Sequence, residues 1–483
     1  MARVSRAFVL ASGERYASVV INLGSTAVLS RLLTPAEFGV VVVGFSAAAF
    51  AEGVRELSAS SYIVQAPKLD RDGLRSVFVI NAGFTLAIAA ALYLLARPLA
   101  DFYAQPPLGE FLQVFALGFA LSPTGSPAAA LMARNMAFGR RGAAALVVTA
   151  VNTGAAIAFA LMGFSYMSFA WAYVLSNAVS AVIYPVLLRD WTMFGLSLRD
   201  WRAVLSFGLY GGATRLLYIA SENASFLVMG RYLSPSGIAL LFRAGMLVTF
   251  PDRVLLGAAS AVALPAFSEE ARKNAPVGRA YVRAVEMLTA VYWPALVVIG
   301  LLAHPIVALF LGAEWTETAV YVQIMAGAAL FSAPMSLNQP VQVATGAIRA
   351  TPVLALFHLA MSVGCIALAA PYGPPAVAWS VWISAPINVT ASVWLVRRVA
   401  PFPLRDMMLR LLHSAVAALG AAAGPLAVIA AHGWRFDLPW LPSLLALVLA
   451  GAGWLAALVL SRHPLTGEAV AVLQRVRARL TAA

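Results

Sequence analysis

The sequence predicts an all-α, polytopic membrane protein, and three observations carry that expectation. Hydrophobic residues make up 61% of the 483 and charged residues 11%, with a mean hydropathy of +0.84. A soluble domain carries about a quarter charged residues, and so apolar a chain would leave large greasy patches in contact with water. The apolar residues are also gathered into runs of about 20, the length that crosses a roughly 30 Å hydrocarbon layer as a helix. Finally, Lys and Arg are concentrated in alternate gaps between these runs, as the positive-inside rule requires.

The runs follow in order. Arg3 and Arg6 precede the first, at 8–33. No small-residue cleavage site follows a short core, so it reads as an uncleaved span. Spans two to six are expected near 36–64, 76–95, 109–132, 142–162 and 165–188. The seventh lies near 204–228 and the eighth near 236–264, where Pro251-Asp252-Arg253 interrupts the run. Six more are expected near 287–310, 319–339, 351–370, 375–396, 407–431 and 438–460. That gives fourteen, with twelve as the competing count if two weak segments are miscounted. Glycines and prolines within spans are compatible with this reading, since neighbouring helices can satisfy irregular backbone.

Charge placement tests the count. With the N-terminus inside, and with Arg31 and Arg410 at span ends counted with the segments they border, 24 of the 33 Lys/Arg fall in cytoplasmic segments and four outside (Arg31, Arg97, Arg231 and Arg435). The other five, Arg15, Arg55, Arg215, Arg243 and Arg253, fall within spans. Both termini are therefore expected in the cytoplasm. The net charge of +13 is explained by attraction to anionic cytoplasmic lipid, and nucleic acid is not an expected partner. Beyond Pro464, residues 465–480 place Ala469, Val472, Leu473, Val476 and Leu480 on one helical face beside Arg475, Arg477 and Arg479. This tail is too short and polar to span and is expected to lie on the inner surface.

A segment near the N-terminus returns in the second half. Residues 29–37 read LSRLLTPAE, and residues 228–237 read VMGRYLSPSG. Arg31 aligns with Arg231, Leu33 with Leu233 and Pro35 with Pro235. Thr34, Pro35 and Glu37 suit an N-cap, a first helical position and a reciprocal cap. Ser234 and Pro235 repeat the first two, with Gly237 in place of the glutamate. Arg97-Pro98-Leu99 and His304-Pro305-Ile306 form a weaker echo. The expectation is a duplicated chain of two similar lobes.

No catalytic constellation stands out. The five histidines (His304, His358, His413, His432 and His463) are scattered and lack ligand spacing with carboxylates. There is no nucleotide-binding glycine loop, metal-binding histidine pair or nucleophile elbow. No cofactor, metal or enzymatic activity is expected, and the single Cys365 allows no internal disulfide. The informative residues are the charges inside spans. Glu52, Arg55 and Glu56 lie along one face of span two, Arg215 and Glu222 on span seven, and Arg243, Asp252 and Arg253 in or beside span eight. Glu14 and Arg15 occur in span one. A charge facing lipid is costly, so these groups should turn toward one another or toward a wet cavity. Arg15, Arg55, Arg215 and Arg243 suit an anionic headgroup, and Glu52, Glu56 and Glu222 suit charge balance or ion coupling.

The segment LSRLLTPAEFG at 29–39, followed by an apolar run and YIVQ at 62–65, resembles the N-terminal pattern of bacterial polysaccharide transporters of the Wzx-like oligosaccharide flippase group. That group belongs to the multidrug/oligosaccharidyl-lipid/polysaccharide exporter superfamily. LARPLADFY at 95–103, MARNMAFGRR at 132–141 and GRYLSPSG at 230–237 add to the likeness. The resemblance implies two pseudo-symmetric six-helix lobes, here 1–188 and 189–396, two added helices at 397–462, and the tail at 463–483. It implies movement of undecaprenyl-pyrophosphate-linked oligosaccharide repeat units across the bacterial inner membrane by alternating access, for exopolysaccharide, capsule or O-antigen assembly. The implied partners are the lipid-linked oligosaccharide, membrane lipids, a polysaccharide polymerase and a chain-length regulator. The group has no strict catalytic motif, so the four arginines are singled out by membrane depth alone. A multidrug exporter or another lipid-linked precursor exporter of the superfamily is the alternative. A membrane glycosyltransferase or polymer ligase is the enzyme alternative, although every segment between spans is short.

Overall fold

A computed structural model of the chain describes residues 21–56, 60–66 and 70–467, and among them there are helices and no strand. Two compact units are present, one formed by residues up to Ala239 with Phe310–Glu314, the other by Leu240–Leu309 and the chain from Trp315 onward.

The first unit begins with α1 (21–32) and α2 (Pro35–Glu56). The expected capping box is present. Thr34 N and Oγ1 both donate to Glu37 Oε2, at 2.8 and 2.9 Å, and Glu37 N donates to Thr34 Oγ1 at 3.3 Å. Ser165 donates to the other carboxylate oxygen of Glu37. There follow α3 (Ser60–Gln65), α4 (Arg71–Tyr103), α5 (Pro106–Ala120), α6 (Gly125–Arg134), α7 (Phe138–Leu161), α8 (Met167–Leu188) and α9 (Trp201–Tyr232). The expected fourth span is the α5–α6 pair, bent by 48°. Backbone freed at that bend needs partners inside a membrane: Asn81 Nδ2 donates to Pro123 O at 3.2 Å. Thr124 Oγ1, from the same bend, donates to Ala181 O of α8 at 3.2 Å, a carbonyl that Pro185 leaves without its helical donor. Arg134 does the same for the end of α3, donating from Nη1 to Ile63 O and Ala66 O, both at 2.7 Å.

Helix α2 packs on α9, and near this contact the second copy of the sequence echo meets Gly39, just beyond the first. A Cβ at Gly39 would overlap the backbone carbonyl of Pro235, so only glycine lets the start of α2 approach so closely. Pro235 opens α10 (Pro235–Val248), where Ser234 Oγ accepts from Gly237 N at 3.2 Å, the expected N-cap.

In the second unit the eighth run breaks where Pro251 stands. A π-helical turn covers Asp252–Leu256, and α11 (Gly257–Arg272) continues beyond it. Then come α12 (Val277–Leu301), α13 (Ala303–Phe310), α14 (Thr318–Ala329), a 3-10 stretch (Leu330–Leu337), α15 (Asn338–Ala344), α16 (Thr351–Ala369), α17 (Pro374–Val399), α18 (Leu404–Ala431) and α19 (Trp440–Leu460). Helices α18 and α19 form a close pair. Gly420 and Gly424, four apart on α18, lie against Gly453, Ala457 and Leu449 of α19. Small residues at this spacing let membrane helices approach until their backbones touch. Arg435 and Asp437 clip the intervening loop (Nη2–Oδ2 2.8 Å), and the Arg435 hydrogen bonds hold the Asp437 carboxyl below the ordinary carboxylate range.

Among the described residues ten helices are long and apolar enough to cross a membrane, or eleven counting the α5–α6 pair. Of the fourteen expected spans, the first lies half outside the described residues, with α1 as its described half, and the eighth is divided at the π-turn. The seventh corresponds to α9, whose 32 residues extend about 48 Å at the helical rise. Helix α16 has no buried residue and exposes Val353, Leu356 and Leu368, a face that hydrocarbon covers. Arg15 and the amphipathic tail beyond residue 467 lie outside the described residues.

Candidate functional site

In the first unit, the charges of α2 are built into a polar group. Arg55 Nη2 donates to Glu52 Oε2 at 2.6 Å, and Tyr173 Oη on α8 donates to Glu52 Oε1 at 2.7 Å. The Arg55 guanidinium stands 5.5 Å from the centre of the Phe119 ring on α5. Tyr173 is fixed in turn. Its ring stacks on Phe115 with centroids 3.8 Å apart, and Gly118 leaves room for its edge. Helices α2, α5 and α8 thus hold a carboxylate, a guanidinium and a phenol together, partly buried beside apolar packing, where each group's partner offsets the cost of desolvation. The three-residue spacing of Glu52 and Arg55 makes their pairing legible in sequence. Tyr173, 121 residues away, is a partner that no local spacing announces.

The other expected residues distribute differently. Glu56 is the last residue of α2, and Arg215 lies on α9. Glu222, also on α9, is exposed. Arg243, on α10 in the second unit, is 3% exposed. Its guanidinium lies 5.3 Å from the ring centre of buried Trp315, with Nη1 3.7 Å from Met246 Sδ. A cation over an indole face is attracted by the ring quadrupole, most strongly where water is excluded.

The second unit also holds a cleft of about 700 Å³ bordered by α14, α17 and α18. Trp293, Trp382 and Trp394 line it with Phe331 and Met408, and Arg397 stands at its border. The indole N–H groups of Trp293 and Trp382 are spent on Leu330 O and Ile324 O, at 2.8 and 2.9 Å. With those bonds made, the rings offer the cleft their apolar bodies. Arg398 stacks 3.7 Å over Trp394, and Arg397 Nε donates to Phe402 O at 3.1 Å. An unbranched or isoprenoid hydrocarbon chain suits such a wall, with cationic side chains at its edge for an anionic head.

One cluster escaped sequence reasoning altogether. His413 on α18 and His463 beyond α19, scattered in sequence, meet Glu286 of α12, and potential ligand atoms of the three lie within 4.8 Å of one another. The donor set does not suit a metal ion. Arg410 already holds one oxygen of Glu286, and both ring nitrogens of His413 are hydrogen-bonded. His463 Nδ1 accepts from Leu465 N at 3.2 Å, leaving the proton on Nε2. The available signal was Glu286 at the edge of an apolar run and Arg410 three residues before His413.

The family model for polysaccharide biosynthesis proteins matches residues 28–320. The succinoglycan biosynthesis transport protein ExoT of Rhizobium meliloti (strain 1021) is 25% identical over 295 residues, which is 60% of this chain and 58% of ExoT. The teichuronic acid biosynthesis protein TuaB of Bacillus subtilis (strain 168) is 20% identical over 343 residues, 69% of this chain and 71% of TuaB. The lipopolysaccharide biosynthesis protein WzxC of Escherichia coli (strain K12) is 22% identical over 323 residues, 65% of each chain. The chain therefore spans less than two thirds of ExoT and of WzxC. Among solved structures, the lipid II flippase MurJ in an inward closed conformation superposes with a TM-score of 0.73 at 14% identity, over 94% of this chain and 99% of that one. An inward-facing multidrug resistance MATE family transporter of the MOP superfamily gives 0.57 at 18% identity, over 81% and 95%. At these identities the structural likeness speaks for the fold. With more than half of its length matched by the family model, the chain belongs to the family of polysaccharide biosynthesis proteins.

Proposed function

We propose that this chain carries a lipid-linked oligosaccharide from one leaflet of the bacterial inner membrane to the other by alternating access, and that it performs no catalysis. The observation that carries the reading is the tryptophan-lined apolar cleft of about 700 Å³ bordered by Arg397, in a chain whose family is polysaccharide biosynthesis. A polyprenyl tail needs an apolar surface, and its pyrophosphate needs fixed cations. Arg15, Arg55, Arg215 and Arg243 are proposed as the cations that meet the headgroup, with Glu52, Glu56 and Glu222 balancing or coupling charge. Arg55 is already engaged by Glu52, so in this reading the incoming anion competes with that carboxylate, which favours release after transfer. The proposal includes fourteen spans in two related six-helix lobes with two added helices, both termini in the cytoplasm, and a polymerase and chain-length regulator as downstream partners. Among the described residues the segments between helices are short, which favours a carrier over a glycosyltransferase or ligase with a catalytic domain outside the bilayer.

Reconstitution tests the function. Vesicles containing the purified chain should transfer a labelled undecaprenyl-pyrophosphate oligosaccharide between leaflets faster than protein-free vesicles. Monodisperse, folded protein that leaves the rate unchanged would overturn the proposal.

A further inference from the structure

The Glu286–His413 contact contains more hydrogen-bond acceptors than a neutral imidazole can serve. His413 Nδ1 lies 3.0 Å from Glu286 Oε1, and His413 Nε2 lies 2.8 Å from the backbone oxygen of Ser461. A carboxylate and a carbonyl both accept, whereas a neutral imidazole has one N–H. Without a further proton, a nitrogen lone pair would face an oxygen lone pair at hydrogen-bond distance. Turning the ring over would point carbon atoms at both partners and lose both bonds. Arg410 does not supply the missing donor, because it holds the other oxygen, Oε2. The geometry therefore requires one proton between Glu286 and His413, on either the carboxyl or the ring.

The contact ties together three elements. Glu286 is 2% exposed on α12, His413 is on α18, and Ser461 follows α19. Ser414 Oγ donates to Glu286 O at 2.9 Å, and Thr289 Oγ1 donates to Ser414 Oγ at 2.9 Å. One turn further along, Ala290, Ala417 and Leu458 pack together, and Trp454 Nε1 donates to Ala290 O at 2.8 Å. The charged and titratable residues of these elements near the pair are Arg283 on α12, Asp406 and Arg410 on α18, and Arg462 and His463 beyond α19. Arg410 and His463 face it, the His463 ring centroid lying 4.8 Å from that of His413. Burial and the neighbouring His413 both hold His463 toward its neutral form.

We propose that a single proton shared by Glu286 and His413 latches α18 and the segment beyond α19 onto this end of α12, and that its loss releases them. A proton bound in the latched state and absent from the released state stabilises the latch at low pH, and that contribution is lost as pH rises. The proposal concerns the α12–α18 contact and stands apart from the identity of the cargo.

The test uses the full chain in lipid nanodiscs with Cys365→Ser, and spin labels on Arg279→Cys of α12 and Asp406→Cys of α18, both exposed positions. Distances are measured by electron spin resonance at about pH 5 and about pH 9. The short-distance population should fall by more than half at the higher pH. Glu286→Gln should keep the short distance at both, because its amide can donate to the bare Nδ1 while its oxygen accepts from Arg410, with no shared proton needed. Monodispersity of each sample guards against misfolding. Identical distances at both pH values in the chain carrying Glu286, or the same change in Glu286→Gln, would overturn the proposal.

Discussion

At the scale of single residues, the Glu52–Arg55–Tyr173 group shows how a membrane protein carries charge beside apolar packing. The phenol–carboxylate bond of 2.7 Å is charge-assisted, so Tyr173→Phe should lower stability by about 1.5–3 kcal/mol. Glu52→Ala removes an acceptor from both Tyr173 and Arg55, and its loss should exceed that of Tyr173→Phe. The double variant Glu52→Ala, Arg55→Ala should regain part of the difference, since no guanidinium is then left short of its carboxylate. Thermal unfolding in detergent reads all three, and a double variant less stable than Glu52→Ala alone would show that Arg55 contributes chiefly through its packing on Phe119. Local spacing made some of this legible. Thr34 with Glu37 announced a capping box, and Glu52 with Arg55 announced a pair. Long-range partners were not legible, since Tyr173, His413 and His463 reach their sites through the packing of whole helices. The reading of the histidines as scattered therefore missed a place where two of them meet a carboxylate.

At the scale of helices, glycine decides which pairs approach closely. Gly420 and Gly424 face Gly453 and Leu449 across the α18–α19 contact, while Gly451 on the same helix meets nothing within 4 Å. Gly420→Val should overpack the pair and cost about 1–3 kcal/mol. Gly451→Ala should be neutral or stabilise by up to about 1 kcal/mol. Equal effects at the two positions, measured by thermal unfolding, would contradict close backbone packing as the basis of this hairpin. Gly39→Ala should be as damaging as Gly420→Val, because its methyl meets the Pro235 backbone rather than a side chain that can move. Helix existence was legible from apolar runs and from Pro251, whose break became a π-turn. Helix pairing was not, because a span of uniform hydrophobicity has no face that declares its neighbour.

At the scale of the whole molecule, composition alone gave the class, since 61% hydrophobic residues leave no other solvent than lipid. The second copy of the echo of 29–37, at 228–237, meets Gly39 just beyond the first through Pro235, a contact that is a matter of fold rather than of alignment. Charge bias gives a topology that reporters can read: fusions after Arg141 and Arg398 should report the cytoplasm, and fusions near Gly163 and Trp315 the outside. A C-terminal reporter outside the cell would contradict the fourteen-span count. The central claim, that a lipid-linked anion is carried, is tested most directly by leaflet-to-leaflet transfer of labelled undecaprenyl-pyrophosphate oligosaccharide in proteoliposomes containing Arg55→Ala or Arg397→Glu. The account predicts transfer slowed at least about tenfold in each, the loss of one charge-assisted contact, at unchanged abundance and fold. Transfer at the unmodified rate in both variants would contradict it.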